Sequence, residues 1–145
     1  MLIGIPAILG PELLATLRAM GHGDEIAVVD GNYPALEDAR RLIRADGHGA
    51  IALIDAILQV MPVDDFVPEA LFRATVKGDP ELLDPVHREM EAICQKRAPG
   101  HRLVPLAGEA FYRRVKAAHA VVATSEPRLY GNMIMRKGVI YPEAS

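Results

Sequence analysis

Short apolar runs alternate with amphipathic stretches along this chain, and their spacing assigns an element to most of it. Leu13, Leu17 and Met20 recur at helical intervals over 11–20. Pro11 and Glu12 suit the first turn of that helix, where an N–H needs no partner and the dipole is positive. Gly21 ends it. Ile26-Ala27-Val28-Val29 follows, an unbroken apolar run that predicts a strand covered on both faces. A short helix is expected over 36–42 and a turn at Arg44-Ala45-Asp46-Gly47. Ile51, Ile54, Leu58 and Met61 form one face of a helix over 50–61, stopped by Pro62. Residues 66–76 read as a strand interrupted near Pro68, and Lys77-Gly78-Asp79-Pro80 as a turn.

The second half repeats the alternation. A helix over 81–97 turns Leu82, Val86, Met90 and Ile93 to one side and closes at Pro99-Gly100. Leu103-Val104-Pro105-Leu106 predicts a strand at a sheet edge, because proline has no N–H for a ladder. A helix over 109–118 turns Phe111, Val115 and Ala118 inward; strands follow at 119–124 and at Met133-Ile134-Met135. Lys137-Gly138 closes the last strand, and Val139-Ile140-Tyr141 extends it. Alternating strands and helices predict an α/β fold: one layered domain over residues 1–145, a central sheet covered by helices.

Composition narrows the class. Half of the 145 residues are hydrophobic but there is no Trp, so the core is built from Leu, Ile, Val, Ala and Met. A net charge of −3 with mixed signs and no basic cluster argues against nucleic acid and anionic membrane surfaces as partners. No apolar run approaches the ~18 residues of a membrane span, and the N-terminus lacks a charged leader. Cys94 is the single cysteine, which fits a reducing compartment; the expected location is the cytoplasm. Cys94 itself reads as a core thiol. The high apolar fraction points to buried subunit contacts.

Candidate chemistry gathers at Gly21–Pro34. His22 precedes the first strand and Asp30 ends it, and histidine is the side chain able to donate or accept a proton near neutral pH. His22, His48, His87, His101 and His119 have no pair at helical zinc spacing, so no metal is expected. No phosphate-cradling glycine motif and no serine elbow occurs, so no cofactor is expected either. What remains is an acid/base histidine, Asp30, and the polar group Tyr130, Asn132 and Lys137. Such equipment suits proton transfer near a polarised oxygen. Read without context, His22 is a surface residue of a glycine-rich turn, Asp30 caps the next turn and Lys137 is solvated. His22 and Asp30 lie up to ~26 Å apart if the chain between them is fully extended.

Several motifs in one order carry a more specific message. Pro11-Glu12-Leu13-Leu14, Met20-Gly21-His22-Gly23-Asp24-Glu25-Ile26, Asp30 with Pro34, Ile43-Arg44-Ala45-Asp46-Gly47, Ala110-Phe111-Tyr112 and Tyr130-Gly131-Asn132 with Lys137-Gly138 run over nearly the whole chain. Together they resemble the fucose mutarotase and ribose pyranase family. Gly23 and the Tyr-Gly-Asn triplet resemble its fucose branch; the ribose branch tends to carry Gly-His-Thr-Asp and Tyr-Ala-Asn. The resemblance implies an isomerase that interconverts the α and β anomers of a free aldose, L-fucose or a related sugar, without cofactor. It implies His22 as proton donor, Asp30 as the group orienting a sugar hydroxyl, and Tyr130, Gly131 and Asn132 as the sugar pocket. It also implies a ring-shaped homodecamer with sites at subunit contacts, which frees His22 and Asp30 from being adjacent in one chain.

The chain departs from the family at Gly108, where a basic residue usually precedes the Phe-Tyr element; Arg113, Arg114 or His101 are the candidates to replace it. Gly31-Asn32-Tyr33 also differs from the usual residues after Asp30. Two other readings stay open: a ribose pyranase, interconverting pyranose and furanose forms, and a non-catalytic sugar-binding module linked to uptake or regulation. The second keeps the Tyr-Gly-Asn pocket but has no need of His22.

Overall fold

A computed structural model describes residues 1–143. The elements in order are α1 (Pro11–Ala19), β1 (Glu25–Val29), α2 (Ala35–Asp38), β2 (Leu42–Ala45), α3 (Ala50–Val60), β3 (Leu71–Ala74), α4 (Pro85–Arg97), β4 (Leu103–Leu106), α5 (Gly108–Ala117), β5 (Ala120–Thr124) and β6 (Met133–Arg136). Among the described residues the strands form one six-stranded sheet in the order β2-β5-β1-β6-β3-β4. β1 and β2 run parallel to β5, and β3 parallel to β4, while β6 is antiparallel to both β1 and β3. Every strand but β6 therefore points the same way. The carboxyl ends of β1, β2, β3, β4 and β5 share one edge of the sheet with the start of β6. The end of β6 lies at the opposite, amino edge.

The unbroken apolar run of β1 has the cause expected of it. Ile26 and Val28 pack into the layer containing Leu13, Leu53, Ile57 and Met90, contributed by α1, α3 and α4. Ala27 and Val29 face the other layer, with Phe111 and Val115 of α5 and Ala35 of α2. Ile26 to Val29 are fully excluded from solvent, which alternation on a one-sided sheet would not allow. β4 is an edge strand, as Pro105 requires. Cys94 is buried in the first layer, and burial pushes its thiol up to about 12, so it is an inert core group.

The structure corrects several boundaries. The predicted 36–42 helix is a single turn, Ala35–Asp38, and the turn expected at Arg44-Ala45-Asp46-Gly47 starts later: Leu42–Ala45 pairs with β5, and the chain turns at Asp46-Gly47. β2 has one neighbour and covers one face, so Ile43 is buried while Arg44 is exposed, too short an alternation to stand out. Of 66–76 only Leu71–Ala74 forms a strand of the sheet, well after Pro68, which cannot donate to a ladder. α4 begins at Pro85 rather than Glu81, with proline in the first turn, and Leu82 is exposed instead of facing the core. Val139–Tyr141 does not extend β6; the Tyr141 hydroxyl donates to Asp65 at 2.9 Å. The predicted domain runs to Ser145, and its last two positions lie outside the described residues.

Ile134 sits in β6 between two strand neighbours and is fully buried. Ile134→Ala is expected to lower unfolding stability by about 2–5 kcal/mol, read from the denaturant midpoint.

Candidate active site

β1 carries polar groups at both ends. At the amino edge, the Gly21–Gly23 turn after α1 presents His22. The turn is closed by three bonds: the Gly21 N–H donates to Asp24 Oδ2, the Asp24 N–H to the Gly21 carbonyl, and the Gly23 N–H to the Lys137 carbonyl. Gly23 has φ +89°, a left-handed backbone that a side chain would strain. A Cβ there would also come within 3.0 Å of the Arg136 guanidinium. Lys137 is not solvated, as it would be if read without context. Its ammonium donates to the carbonyls of Leu17 at 2.7 Å and Met20 at 2.6 Å, capping the C-terminus of α1.

His22 Nε2 donates to Asp64 Oδ1 at 3.0 Å, and a carboxylate oxygen can only accept, so this nitrogen carries the proton. The ring rests on Phe66, centroid to centroid 4.8 Å. The His22 side chain is 41% exposed, whereas that of Asp64 is fully buried. The imidazole is thus held on one side by a carboxylate, and among the described residues Nδ1 has no hydrogen-bond partner. Asp64 accepts two further bonds, from Arg136 Nε at 2.7 Å and from the Phe66 N–H at 3.0 Å. Burial by itself would raise the Asp64 carboxyl, but the Arg136 guanidinium, the Phe66 amide and His22 outweigh it and hold it at about 2. The alternation of charge continues outward. Arg136 also approaches Glu25, which takes a two-pronged contact from Arg114 at 2.9 and 2.7 Å, and the Arg114 guanidinium lies 3.8 Å from the Phe72 ring centre.

At the carboxyl edge, Asp30 is 5% exposed. Its backbone N–H donates to Asn132 Oδ1 at 2.7 Å, and its Oδ1 accepts the Asn32 N–H at 2.8 Å. Burial raises the Asp30 carboxyl above the usual range, against the N–H groups of Asn32, Tyr33 and Gly131 and the amide of Asn132, which all favour its charged form. Gly131 is required by close approach: a Cβ there would lie 3.0 Å from Glu126 Cγ and 3.2 Å from the Arg128 carbonyl. Tyr130 precedes it with φ +61°, a left-handed conformation uncommon for a residue with a bulky side chain. Glu126 supports this corner: buried, it takes bonds from Arg128 that hold its carboxyl down, and its carbonyl accepts the Gly31 N–H. Tyr33 stacks on Tyr112 at 5.2 Å and its hydroxyl donates to Asp38.

The structure therefore brings Asp30, Tyr130, Gly131 and Asn132 together, and sets His22 apart from them at the other end of the strand. Glu25 and Asp30 are separated by roughly 17 Å of strand. Of the candidates for the missing basic residue, Arg114 is committed to Glu25 at the amino edge. His101 precedes β4 at that same edge, and Arg113 is exposed on α5. Gly108 opens α5, and no atom lies within 4 Å of the place a Cβ would take, so the space of a longer side chain is open. Two residues that matter here had no sequence signal of their own. Asp64 follows Pro62-Val63 in a loop and looks like a surface acid, and His87 looks like one of several scattered histidines. The pair Asp84-Pro85 could have placed His87 in the first turn of a helix. Among the described residues no three His, Cys, Asp or Glu side chains converge to hold a metal, and no helix is long and apolar enough to cross a membrane.

A six-stranded mixed sheet covered by helices, with a carboxylate-buttressed histidine at one edge and an oriented, buried carboxylate at the other, defines a small single-domain α/β protein. Residues 3–140 match the RbsD / FucU transport protein family, and the chain belongs to it. It is 44% identical to a fucose mutarotase of Bos taurus over 146 aligned residues, covering 97% of this chain and 95% of that one. It is also 44% identical to a fucose mutarotase of Homo sapiens, covering 94% and 93%. The crystal structure of the fucose mutarotase from Streptococcus pneumoniae in complex with L-fucose superimposes with a TM-score of 0.88 at 39% identity, covering 97% of this chain and all of that one.

Because Asp64 sits near 2 when folded and near the ordinary 3.8 when unfolded, its contribution to stability is complete above pH 4 and is lost as the pH falls toward 2. Asp64→Asn is expected to destabilise the protein by about 1–3 kcal/mol at neutral pH. The variant should also flatten the fall in urea midpoint between pH 4 and pH 2; an unchanged slope there would place the acid sensitivity elsewhere.

Proposed function

We propose that this chain is a sugar mutarotase that interconverts the α and β anomers of L-fucose or a closely related aldose. Anomer exchange requires the ring oxygen to gain a proton while the anomeric hydroxyl loses one. The open-chain aldehyde then rotates and recloses on its other face. The observation that carries the reading is the state of His22: a half-exposed imidazole with Nε2–H fixed on buried Asp64 and no hydrogen-bond partner for Nδ1 among the described residues. Asp64 fixes the tautomer and the orientation of the ring, and His22 passes protons to and from the sugar. Asp30 accepts and orients a sugar hydroxyl, and Tyr130, Gly131 and Asn132 line the sugar pocket. No cofactor takes part.

One chain does not complete this site, because β1 holds His22 and Asp30 at opposite edges of the sheet. In this reading the sugar lies at a subunit contact, with His22 from one protomer and Asp30 and the Tyr130 turn from its neighbour. The assembly is a ring-shaped homodecamer, and the protein works in the cytoplasm. The names of the bovine and human relatives and the L-fucose bound by the Streptococcus pneumoniae structure favour L-fucose as substrate.

Saturation-transfer NMR of the anomeric protons, on L-fucose, D-ribose and other aldoses, tests the reading. Accelerated exchange is expected for L-fucose and is expected to fall by about 10²–10⁴-fold in His22→Ala, with sugar binding retained. Binding without acceleration would instead mark a sugar-binding module, and acceleration confined to ribose a pyranase. A shared site has its own signature. Mixing inactive His22→Ala and Asp30→Asn protomers after dissociation should restore roughly a quarter of the wild-type rate, since one in four random contacts pairs the two intact halves. No recovery in verified mixed oligomers would mean that both groups act within one protomer.

A further inference from the structure

We infer that His87 is a positioning residue for sugar binding: from inside the α4 layer it holds the carbonyl of Tyr130, and with it the turn that carries Asn132. The inference rests on the proposed role of Tyr130, Gly131 and Asn132 as the sugar pocket. His87 is 1% exposed, on the first turn of α4. Its Nδ1 lies 3.2 Å from the Asp84 backbone N–H, which can only donate, so Nδ1 is an acceptor. The proton is therefore on Nε2, which lies 2.9 Å from the Tyr130 carbonyl and donates to it. One imidazole thus joins the start of a helix to a strained turn 43 positions later in the chain.

That turn needs an external tether. Tyr130 is held at φ +61°, a conformation a tyrosine leaves readily unless its surroundings fix it. The tyrosine ring packs on the opposite layer, against the Phe72 and Phe111 cluster, so the ring and the carbonyl are pinned from opposite sides of the sheet edge. Two residues on, Asn132 accepts the Asp30 N–H, and its carbonyl accepts the Ala74 N–H. Release of the Tyr130 carbonyl would let the peptide rotate and carry Gly131 and Asn132 off Asp30. The two hydrogen bonds set the tautomer, and the surroundings keep His87 neutral, so that Nδ1 stays an acceptor. Burial disfavours its charged form, and Arg73 of β3, whose guanidinium donates to the carbonyls of Ala74 and Pro80, adds to that; Asp84 and the Tyr130 carbonyl oppose it without reversing it.

Two near-isosteric substitutions separate the tether from the helix cap. In His87→Gln the amide nitrogen replaces Nε2 and keeps the donor to Tyr130. In His87→Asn the amide oxygen replaces Nδ1 and keeps the acceptor for Asp84, but no donor reaches Tyr130. Exchange kinetics on L-fucose are expected to show KM raised about tenfold in His87→Asn with kcat within about twofold, and KM largely restored in His87→Gln. Equal KM values in the two variants, or a loss confined to kcat or to thermal stability, would overturn the inference. Asn132→Ala is the reference. If it leaves KM unchanged, the pocket assignment itself fails; if it raises KM while His87→Asn does not, only the role of His87 fails. The unsubstituted protein offers a measurement that does not depend on variants folding: the His87 Nε2 resonance in ¹⁵N NMR is expected to move when L-fucose is added, and no shift at saturation would count against the tether.

Discussion

A strand paired on both sides cannot fold back on itself, and the proposed site draws on groups at the two ends of such a strand. β1 is locked between β5 and β6 and covered on both faces. Its ends are therefore among the most rigidly fixed points in the molecule, and among the hardest to bring together. The first property suits a site whose groups must be held in a fixed geometry. The second makes a neighbouring protomer part of the proposed chemistry. The arrangement divides labour along the sheet: in that reading the amino edge handles protons and the carboxyl edge handles hydroxyl groups.

The amino edge is organised around a charge that should not be comfortable where it is. Asp64 is fully excluded from solvent, and an unpaired carboxylate there would be prohibitive. It is made tolerable by Arg136 on one oxygen and by the Phe66 amide and His22 on the other. The electrostatic need of the buried acid and the orientation of the His22 ring are thus met by one interaction. The carboxyl edge uses burial in the opposite sense. Asp30 is surrounded by N–H groups, yet burial still raises its carboxyl. An acceptor in that condition gains from taking a hydroxyl proton donor from a ligand, because the bond replaces solvation it has lost.

How much of this was legible depended on whether a feature announced itself locally. The apolar run of β1, the helical spacing of α1 and α3, and the edge position forced by Pro105 are local facts, and each appears where the spacing placed it. β2 was not legible because Ile43 alone of its four residues is fully buried, and Leu42–Ala45 offers too few positions to display a period. The start of α4 was displaced because Leu82 fits the helical period, although Asp84-Pro85 marks a first turn. At the site, the motifs pointed to His22, Asp30 and Tyr130–Asn132, but the groups that govern them were silent. An aspartate in a loop gives no sign that it will be sealed under a histidine and an arginine. Lys137 looked solvated because its partners, the carbonyls of Leu17 and Met20, are brought to it only by the fold. Such residues acquire meaning from three-dimensional neighbours that no spacing rule encodes.

The edge strand β4 has a consequence for how copies of the chain can meet. It is short, and Pro105 removes one of the few donors its outer side could offer to another strand. Two molecules cannot easily merge their sheets there into a longer one, the route by which exposed edges grow into fibres. Whatever contacts build an assembly at that side of the protein must then be made by side chains on helices and loops. Contacts of that kind can be undone without unzipping a backbone ladder. If the site is shared between neighbours as proposed, the assembly can thus come apart and re-form with each protomer still folded.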